Sequence, residues 1–359
     1  MRLLINSSTN FYEHFEQFGK QLSKFKIEYK LLKDVEGYDS FSLRKIFQTK
    51  QIRKNYVNLI KNYRPDFVLT DKPSHLSLAA IECKIPLLIY LRGDYWQELK
   101  WADETIYKNI SIQYRFALKR WRNLVERCFK NSFAIITVSK YLKNIVKEHY
   151  PKKSVFVMFP GIDSSLWFPQ GGIKLKHPCV GLVQTANIWG KTKEMLILPK
   201  IMEAMPNVTF YWGGDGPYKN KILPELQKFK NFEWVGNLDY PDKVRQFFTE
   251  IDVYALFSGF DSLGMTSVEA GFMRKPVVIS NVGGTSETIL NEKTGFLIEK
   301  GNTVEWIEKL SLLINKKEAS KKMGEKGFDF VVEKFGFDSS VKEFIDILES
   351  ITKKANHNF

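Results

Sequence analysis

The stretch 252–295 constrains the fold more than any other part of this chain. It reads as an apolar strand, a polar turn containing glycine, a helix, a second strand and a helix opening at Thr285, over 253–257, 258–264, 265–273, 277–280 and 285 onward. Parallel strands need crossover connections, and these are usually helices, so this order is typical of a parallel α/β sheet.

The same alternation runs through the rest of the chain. Before the boundary region we predict strands at 2–6, 27–32, 67–70, 86–91, 134–138 and 155–159, and helices around 11–22, 43–62, 73–83, 105–130 and 140–149. After it we predict strands at 180–183, 210–212, 232–236 and 294–297, and helices at 302–315, 318–333 and 337–353. The pattern predicts an α/β fold with two doubly wound parallel-sheet domains.

The turn and helix at 258–273 carry side chains that suit a phosphorylated ligand. A helix amino terminus offers free N–H groups and a positive dipole end, and Gly264 lets a ligand approach the backbone closely. Glu269 lies about one turn into the helix, where its carboxylate can accept bonds from a ribose, and Asp261 lies on the loop before it. The competing interpretation is a solvated helix start at which both acids favour the dipole.

The order of residues from Asp261 onward resembles the signature of glycosyltransferase family 4. That signature has two acids separated by seven residues, then Ala270, Lys275-Pro276-Val277-Val278, Val282-Gly283-Gly284 and Glu287. The resemblance implies a GT-B fold, with two Rossmann-like domains facing across a cleft, and a retaining transferase that uses a UDP- or GDP-sugar. In this chain the first acid is Asp261, one methylene shorter than the usual Glu.

The resemblance also implies which residues form the donor site. The residues it implies for catalysis are Asp261, Lys191 or Lys193, and Arg92, and those for donor binding are Glu269, Ser262, Leu263, Gly264, Met265, Val235, Gly236 and Gly213. The family's phosphate-binding Arg has no clear counterpart, and Gln184 or Asn187 falls nearby. No cofactor and no metal site are expected.

The acceptor side is expected in the first domain, after its strands. Its residues would be Ser7, Ser8, Gly93 and Asp94. Arg92 stands where many family members carry a His; an Arg cannot act as a base at neutral pH but binds anions, and the alternative is an ion pair with Asp94 or Asp71.

Phe159-Pro160-Gly161-Ile162-Asp163 resembles the family's interdomain stretch. We therefore predict a first domain at 1–165, a nucleotide-sugar domain at 166–335 and a final helix at 336–359 that crosses back to the first domain. The three cysteines, Cys83, Cys128 and Cys179, lie far apart, and no apolar run is long enough to span a membrane. These features favour a cytoplasmic protein.

The net charge of +14 lies almost wholly in residues 1–165, which carry 29 Lys and Arg against 16 Asp and Glu. Such a field attracts anionic partners, whereas the simpler interpretation is that it confers solubility. The basic stretches Arg44–Lys61 and Arg115–Lys130, with Trp121 and Phe129 as apolar anchors, favour peripheral attachment to the inner face of a membrane.

Three functions are compatible with these features. The first is sugar transfer to a glycan, a lipid-linked molecule or another acceptor. The second is a catalytically silent relative that binds a nucleotide sugar or a partner, which the Asp261 substitution and the missing Arg keep open. The third is a nucleic-acid-binding protein on a Rossmann-like scaffold, but no nucleic-acid-binding motif supports it, so no nucleic-acid partner is expected.

Overall fold

The computed structural model describes residues 1–34, 43–105, 107–108 and 110–356, without the side chains of residue 10, 43–48 and 354–356. The chain packs into two compact units, one made of Met1–Gly161 with the segment from Ser340 onward, and one made of Ile162–Ser339. Ile162 belongs to the second unit because its N–H donates to the carbonyl of Phe335 at 2.8 Å.

The first unit is built on a six-stranded sheet in the order β2-β1-β3-β4-β5-β6, and every strand pair in it is parallel. Its strands are β1 (Arg2–Ser8), β2 (Glu28–Asp34), β3 (Phe67–Thr70), β4 (Leu87–Leu91), β5 (Ala134–Thr137) and β6 (Val155–Val157). Strands β3, β4 and β5 are buried along their whole length, which explains their uninterrupted apolar sequences.

The helices of the first unit are α1 (Tyr12–Ser23), α2 (Leu43–Tyr63), α3 (His75–Glu82), α4 (Tyr95–Glu104), α5 (Ile112–Asn131) and α6 (Lys140–His149). The predicted single helix at 105–130 is wrong at its start, and α4 was missed. Asp94 begins α4 by accepting the N–H of Gln97 at 3.0 Å, and Ser111 begins α5 by accepting the N–H of Tyr114 at 3.3 Å.

The spacing of Phe11, Phe15, Phe18 and Leu22 predicts one apolar face for α1, and one of these residues lies elsewhere. Phe15, Phe18 and Leu22 are buried as expected, but Phe11 lies before the helix and is exposed. Its ring lies beneath the guanidinium of Arg92, 3.1 Å from that group's central carbon to the ring centroid. Phe11 therefore stacks on a cation rather than packing into the core.

The second unit has its own six-stranded parallel sheet in the order β12-β11-β10-β7-β8-β9. Its strands are β7 (Cys179–Val183), β8 (Thr209–Gly213), β9 (Phe232–Gly236), β10 (Val253–Leu256), β11 (Val277–Ser280) and β12 (Gly295–Ile298). The core contains Phe257 and Trp306, whose rings stack with centroids 3.9 Å apart.

The later helices are α7 (Trp189–Thr192), α8 (Leu198–Ala204), α9 (Lys219–Leu226), α10 (Asp242–Glu250), α11 (Met265–Phe272), α12 (Thr303–Asn315), α13 (Lys317–Phe335) and α14 (Phe337–Asn356). The helix predicted to open at Thr285 is only a 3-10 turn over Thr285–Glu287. The hydroxyl of Thr285 donates to the carbonyl of Ser280 at 2.7 Å, which folds the segment back onto the end of β11.

Candidate active site

In the second unit the strand order reverses direction at β7 and β10, which are neighbours in the sheet. From β7 the chain moves outward through β8 and β9, and from β10 it moves the opposite way through β11 and β12. The loops that follow β7 and β10 therefore diverge at the carboxyl edge of the sheet. Ligands of open α/β sheets bind at such a point.

These two loops touch each other. The N–H of Gly259, after β10, donates to the carbonyl of Lys191, after β7, at 3.0 Å. A side chain at Gly259 would collide with the carbonyl of Gly190, so only glycine allows this approach. The contact brings Lys191 and Asp261 to the same place although they are seventy residues apart in sequence.

Asp261 links the start of α11 to this lysine. One carboxylate oxygen accepts the N–H of Gly264 at 3.1 Å, and the other lies 3.3 Å from the ammonium of Lys191. Gly264 has a φ of +87°, a conformation that favours glycine. The site therefore presents one ammonium group beside the amino end of an eight-residue helix.

The two candidate lysines differ in surroundings. Lys191 is half-buried and paired with Asp261, whereas Lys193 is exposed on the following turn. The sequence left the choice between them open. The geometry favours Lys191, because its ammonium pairs with the carboxylate that accepts the N–H of Gly264, the residue before α11.

Glu269 lies in the second turn of α11 and is only 7% exposed. Burial raises the pKa of its carboxyl from the usual 4.5 to about 8, and a hydrogen bond from the Tyr240 side chain opposes that shift. An isolated buried carboxylate is costly, so hydroxyl donors that reach it would be bound strongly. Sequence reasoning missed Tyr240, because it lies on the loop after β9 and belongs to none of the motifs.

Gln184 follows β7 directly and is buried at the same edge of the sheet. Neither its side-chain nitrogen nor its side-chain oxygen has a hydrogen-bond partner among the described residues. Its backbone is held in place, with the N–H donating to Gly213 at 3.0 Å and the carbonyl accepting the indole N–H of Trp212 at 2.9 Å. The arrangement leaves one donor and one acceptor group for a ligand.

The other predicted donor residues lie at the same sheet edge or on α11. Ser262 and Leu263 are buried before α11, and Met265 is its half-exposed first residue. Gly213 ends β8, and Gly236 ends β9 with a φ of +82° and open space around its Cα. Because the N–H of Gly214 donates to Gly236 at 2.8 Å, these two strand ends are joined beside Gln184.

The first unit has a comparable point, where the strand order reverses at β1 and β3. Ser8, at the end of β1, donates from its backbone and its hydroxyl to Asp71, after β3, at 3.0 and 2.7 Å. Burial raises the pKa of the Asp71 carboxyl, while those bonds and the nearby Arg92 oppose the shift. Ser7 is buried, and its hydroxyl donates to the carbonyl of Ser8 at 3.1 Å.

The remaining acceptor-side residues divide into two groups. Asp94 is buried and caps α4, so its carboxylate has a structural partner, and Gly93 lies against the side chain of Glu98. Arg92 lies near His14, whose pKa is lowered to about 3 by burial and, to a smaller extent, by this guanidinium. Arg92 therefore brings positive charge to this edge, and Lys72 adds a second cation near Asp71.

His177, Cys179 and Asp252 meet at the opposite, amino edge of the second sheet, with donor atoms within 4.8 Å of one another. Sequence spacing did not indicate this cluster, because Asp252 is far from the other two in the chain. Asp252 already accepts the N–H of Cys179 at 2.8 Å and contacts His177, and the buried ammonium of Lys275 interacts with it favourably. The lysine ammonium thus offsets the charge of Asp252, so a metal ion is not needed for that purpose.

Comparison with known proteins gives this architecture a family. The description "Glycosyl transferases group 1" matches residues 191–330, and "Glycosyltransferase Family 4" matches residues 25–166. Two doubly wound parallel sheets of this kind are the architecture of glycosyltransferases of the GT-B type. The chain belongs to glycosyltransferase family 4, as the resemblance in its second half indicated, and the match extends into the first half.

Relatives and solved structures agree with that assignment. The chain is 28% identical to the uncharacterized glycosyltransferase MJ1178 of Methanocaldococcus jannaschii, over 75% of this chain and 69% of that protein. It is 24% identical to the N-acetyl-alpha-D-glucosaminyl L-malate synthase of Bacillus anthracis, over 64% of this chain and 63% of the relative. The Anabaena HepE structure with UDP and glucose superposes with a TM-score of 0.68 at 15% identity, covering 98% of this chain and all of that one.

The structure contains no helix, within its described residues, that is long and apolar enough to cross a membrane. The cysteines Cys83, Cys128 and Cys179 are all free thiols.

Proposed function

We propose that this glycosyltransferase is a retaining enzyme that transfers a hexose from a UDP-sugar to a glycan or lipid-linked acceptor. The observation that carries the proposal is the meeting of Lys191, Asp261 and the amino end of α11 at the point where the second sheet reverses its strand order. UDP is the preferred nucleotide because the solved structures with the same fold include complexes with UDP.

Each group then has a part in handling the donor. The N–H groups at the start of α11 and the ammonium of Lys191 stabilise the negative charge that develops on the departing diphosphate, which is the role a metal fills in other transferases. Glu269 accepts bonds from the ribose hydroxyls, and the amide of Gln184 bonds to the diphosphate or the sugar. When the donor binds, Asp261 gives up part of its contact with Lys191 and contacts the donor instead.

The sugar keeps its anomeric configuration because the acceptor attacks the same face of the sugar from which the diphosphate leaves. In that reaction the acceptor oxygen forms the new bond to the anomeric carbon as the bond to the diphosphate breaks. The acceptor proton passes to a diphosphate oxygen, so the step needs no protein base. The family resemblance supports this route, and the acceptor lies at the first unit's edge formed by Ser8, Asp71 and Arg92.

The proposal is tested by incubating the protein with a panel of UDP- and GDP-sugars. We expect UDP to raise the melting temperature, at least one UDP-sugar to be consumed, and the product's anomeric configuration, read by NMR, to match the donor's. A GDP-sugar preference would overturn the nucleotide assignment, and an inverted product would overturn the mechanism. Binding without turnover across donors and acceptors would favour the silent relative.

A further inference from the structure

The α4–α5 pair of the first unit forms a helical hairpin that extends beyond the carboxyl edge of its sheet. Helix α5 has 20 residues, about 30 Å, and ends just before the amino end of β5, whereas strands of four or five residues span only about 15 Å. Tyr95, which follows β4, lies beside Trp121, with ring centroids 5.7 Å apart. The half of α5 before Trp121 therefore extends past the strands.

The two helices run beside each other over this distance. Arg122 on α5 pairs with Asp103 near the end of α4, and the rings of Tyr107 and Tyr114 lie with centroids 6.4 Å apart near the tip. The hairpin is thus held together along its length, and its tip is presented at the same sheet edge as Ser8 and Arg92.

The tip carries two large apolar side chains that are mostly exposed. Ile112 is 82% exposed and Phe116 is 67% exposed, and at a spacing of four residues they share one face of α5. The sequence had indicated Trp121 and Phe129 as apolar anchors. That expectation is wrong for Phe129, which is fully buried, and Trp121 is half-buried against Tyr95.

Basic residues follow this apolar pair along α5, and Arg115, Lys119 and Arg120 are the ones nearest to it. The exposed side of α5 continues with five cations and no acid, namely Arg115, Lys119, Arg120, Arg127 and Lys130. The one acid of the helix, Glu126, accepts the hydroxyl of Tyr150 at 2.7 Å and lies 3.8 Å from the ammonium of Lys130, so it offsets that cation rather than those beside the apolar pair. An apolar pair flanked by cations matches a bilayer with anionic headgroups, where apolar groups enter the interface and cations meet phosphates.

We infer that the tip of this hairpin, formed by Ile112, Arg115, Phe116 and Lys119, inserts into the headgroup region of an anionic lipid bilayer. The inference rests on the proposed function in one respect, because a lipid-linked acceptor is presented at such a surface. It goes beyond that function by assigning the contact to four residues outside the donor site. Of the other basic stretch, Arg44–Lys61, the side chains before 49 lie outside the described residues.

The experiment is co-sedimentation of the full chain with vesicles of phosphatidylcholine alone and of phosphatidylcholine with phosphatidylglycerol. We expect binding to the anionic vesicles only, with partitioning that weakens about tenfold or more as salt rises towards 1 M. The double variant Ile112→Ser/Phe116→Ser and the variant Arg115→Glu/Lys119→Glu should each lose at least tenfold. Val304→Ser and Lys321→Glu/Lys322→Glu, equally exposed changes in the second unit, should bind as the unchanged protein does.

Melting-temperature shifts with UDP, measured on every variant, separate this inference from the proposed function. UDP binding without vesicle binding would contradict the membrane inference but support the proposed donor site. Vesicle binding without UDP binding would support the membrane inference but contradict the proposed donor site. Equal binding of the hairpin and control variants overturns the assignment to the tip. A self-association that the Ile112→Ser/Phe116→Ser change abolishes, without lipid binding, would make the occupant a second copy of the chain.

Discussion

Glu269 is a candidate donor-site residue whose chemistry the fold alters strongly, because burial holds the pKa of its carboxyl at about 8. Ribose hydroxyls donate to the carboxylate form, so donor binding has to draw a proton off the residue below that pKa. We expect the affinity for UDP to fall several-fold to about tenfold between about pH 8.5 and about pH 7, by titration calorimetry. In Glu269→Gln the affinity should be at least about tenfold weaker near pH 8.5 and should not change with pH.

The same residue affects stability in a definite direction. Its folded-state pKa is raised, so the folded protein holds this proton more tightly than the unfolded chain does. Its contribution to stability is therefore complete below the ordinary pKa of 4.5 and is lost as the pH rises through about 8. Glu269→Gln should raise the free energy of unfolding by about 1–3 kcal/mol near pH 8.5 and by less near pH 5. A variant that is less stable at both pH values would contradict the buried-carboxyl account.

Lys191 and Lys193 offer a matched pair for the phosphate contact. The ammonium of Lys191 lies 3.3 Å from Asp261 beside the start of α11, while Lys193 is exposed. We expect Lys191→Ala to lower kcat/KM at least about tenfold, or about 1.4 kcal/mol, and Lys193→Ala to change it less than about twofold. Equal losses in steady-state kinetics would show that the charge of the whole loop matters rather than one ammonium.

Gln184 tests whether an unsatisfied amide is kept for a ligand. A buried amide without partners costs stability, so Gln184→Leu should leave the unliganded protein as stable as before or up to about 1–2 kcal/mol more stable. The affinity for UDP or a UDP-sugar should fall about tenfold, because the amide's bonds to the donor are lost. Reduced stability with unchanged donor affinity would mean that the amide serves the fold.

At the scale of elements, the amino end of α11 depends on backbone geometry that few residues adopt. Gly264 has a φ of +87°, and an added Cβ would lie 3.3 Å from Thr285. Gly264→Ala should cost about 1–2 kcal/mol of stability and weaken UDP binding at least about fivefold, because the N–H groups of the first turn move. Gly301→Ala is the control, with a φ of +77° and no neighbour near the added atom. It should cost a similar stability in chemical denaturation and leave UDP binding unchanged.

Elements with strong local signals were predictable from the sequence. Strands β3 and β11 and helix α6 have the bounds expected from their apolar runs and flanking polar residues. The α4–α5 hairpin was not predictable in this way, because each of its helices begins at a side-chain cap, Asp94 for α4 and Ser111 for α5. The turn at Thr285 was missed for a related reason, since a single hydroxyl bond to Ser280 outweighed the helical pattern.

Site residues on a common motif were easier to foresee than residues brought together by the sheet. Asp261, Gly264 and Glu269 lie within one short stretch, and the family resemblance of that stretch, rather than their spacing alone, indicated a shared role. The pairing of Lys191 with Asp261 and the bond from Ser8 to Asp71 depend on strand order, which places loops side by side that are far apart in the chain. The contact of Tyr240 with Glu269 has the same origin.

At the scale of the whole molecule, the proposed donor groups all belong to the second unit, whereas the net positive charge is concentrated in the first. Residues 1–165 carry 29 of the 54 Lys and Arg but only 16 of the 40 Asp and Glu. The two proposals, donor binding and attraction to an anionic surface, thus concern different parts of the chain. A bound nucleotide should therefore reduce local opening of the second unit and leave the first unit unchanged.

Hydrogen–deuterium exchange with and without saturating UDP measures this division. We expect slower exchange in the segments that carry the donor groups, 184–193 and 259–272, because a ligand that binds the folded form suppresses local opening of the backbone it contacts. Exchange in β1, β3 and the α4–α5 hairpin should stay the same, since none of their residues belongs to the donor site. Glu269→Gln serves as the control, because protection should diminish in the same segments at a fixed UDP concentration. Protection confined to the first unit would place the nucleotide at the edge formed by Ser8, Asp71 and Arg92, and would require the donor and acceptor sides to be exchanged.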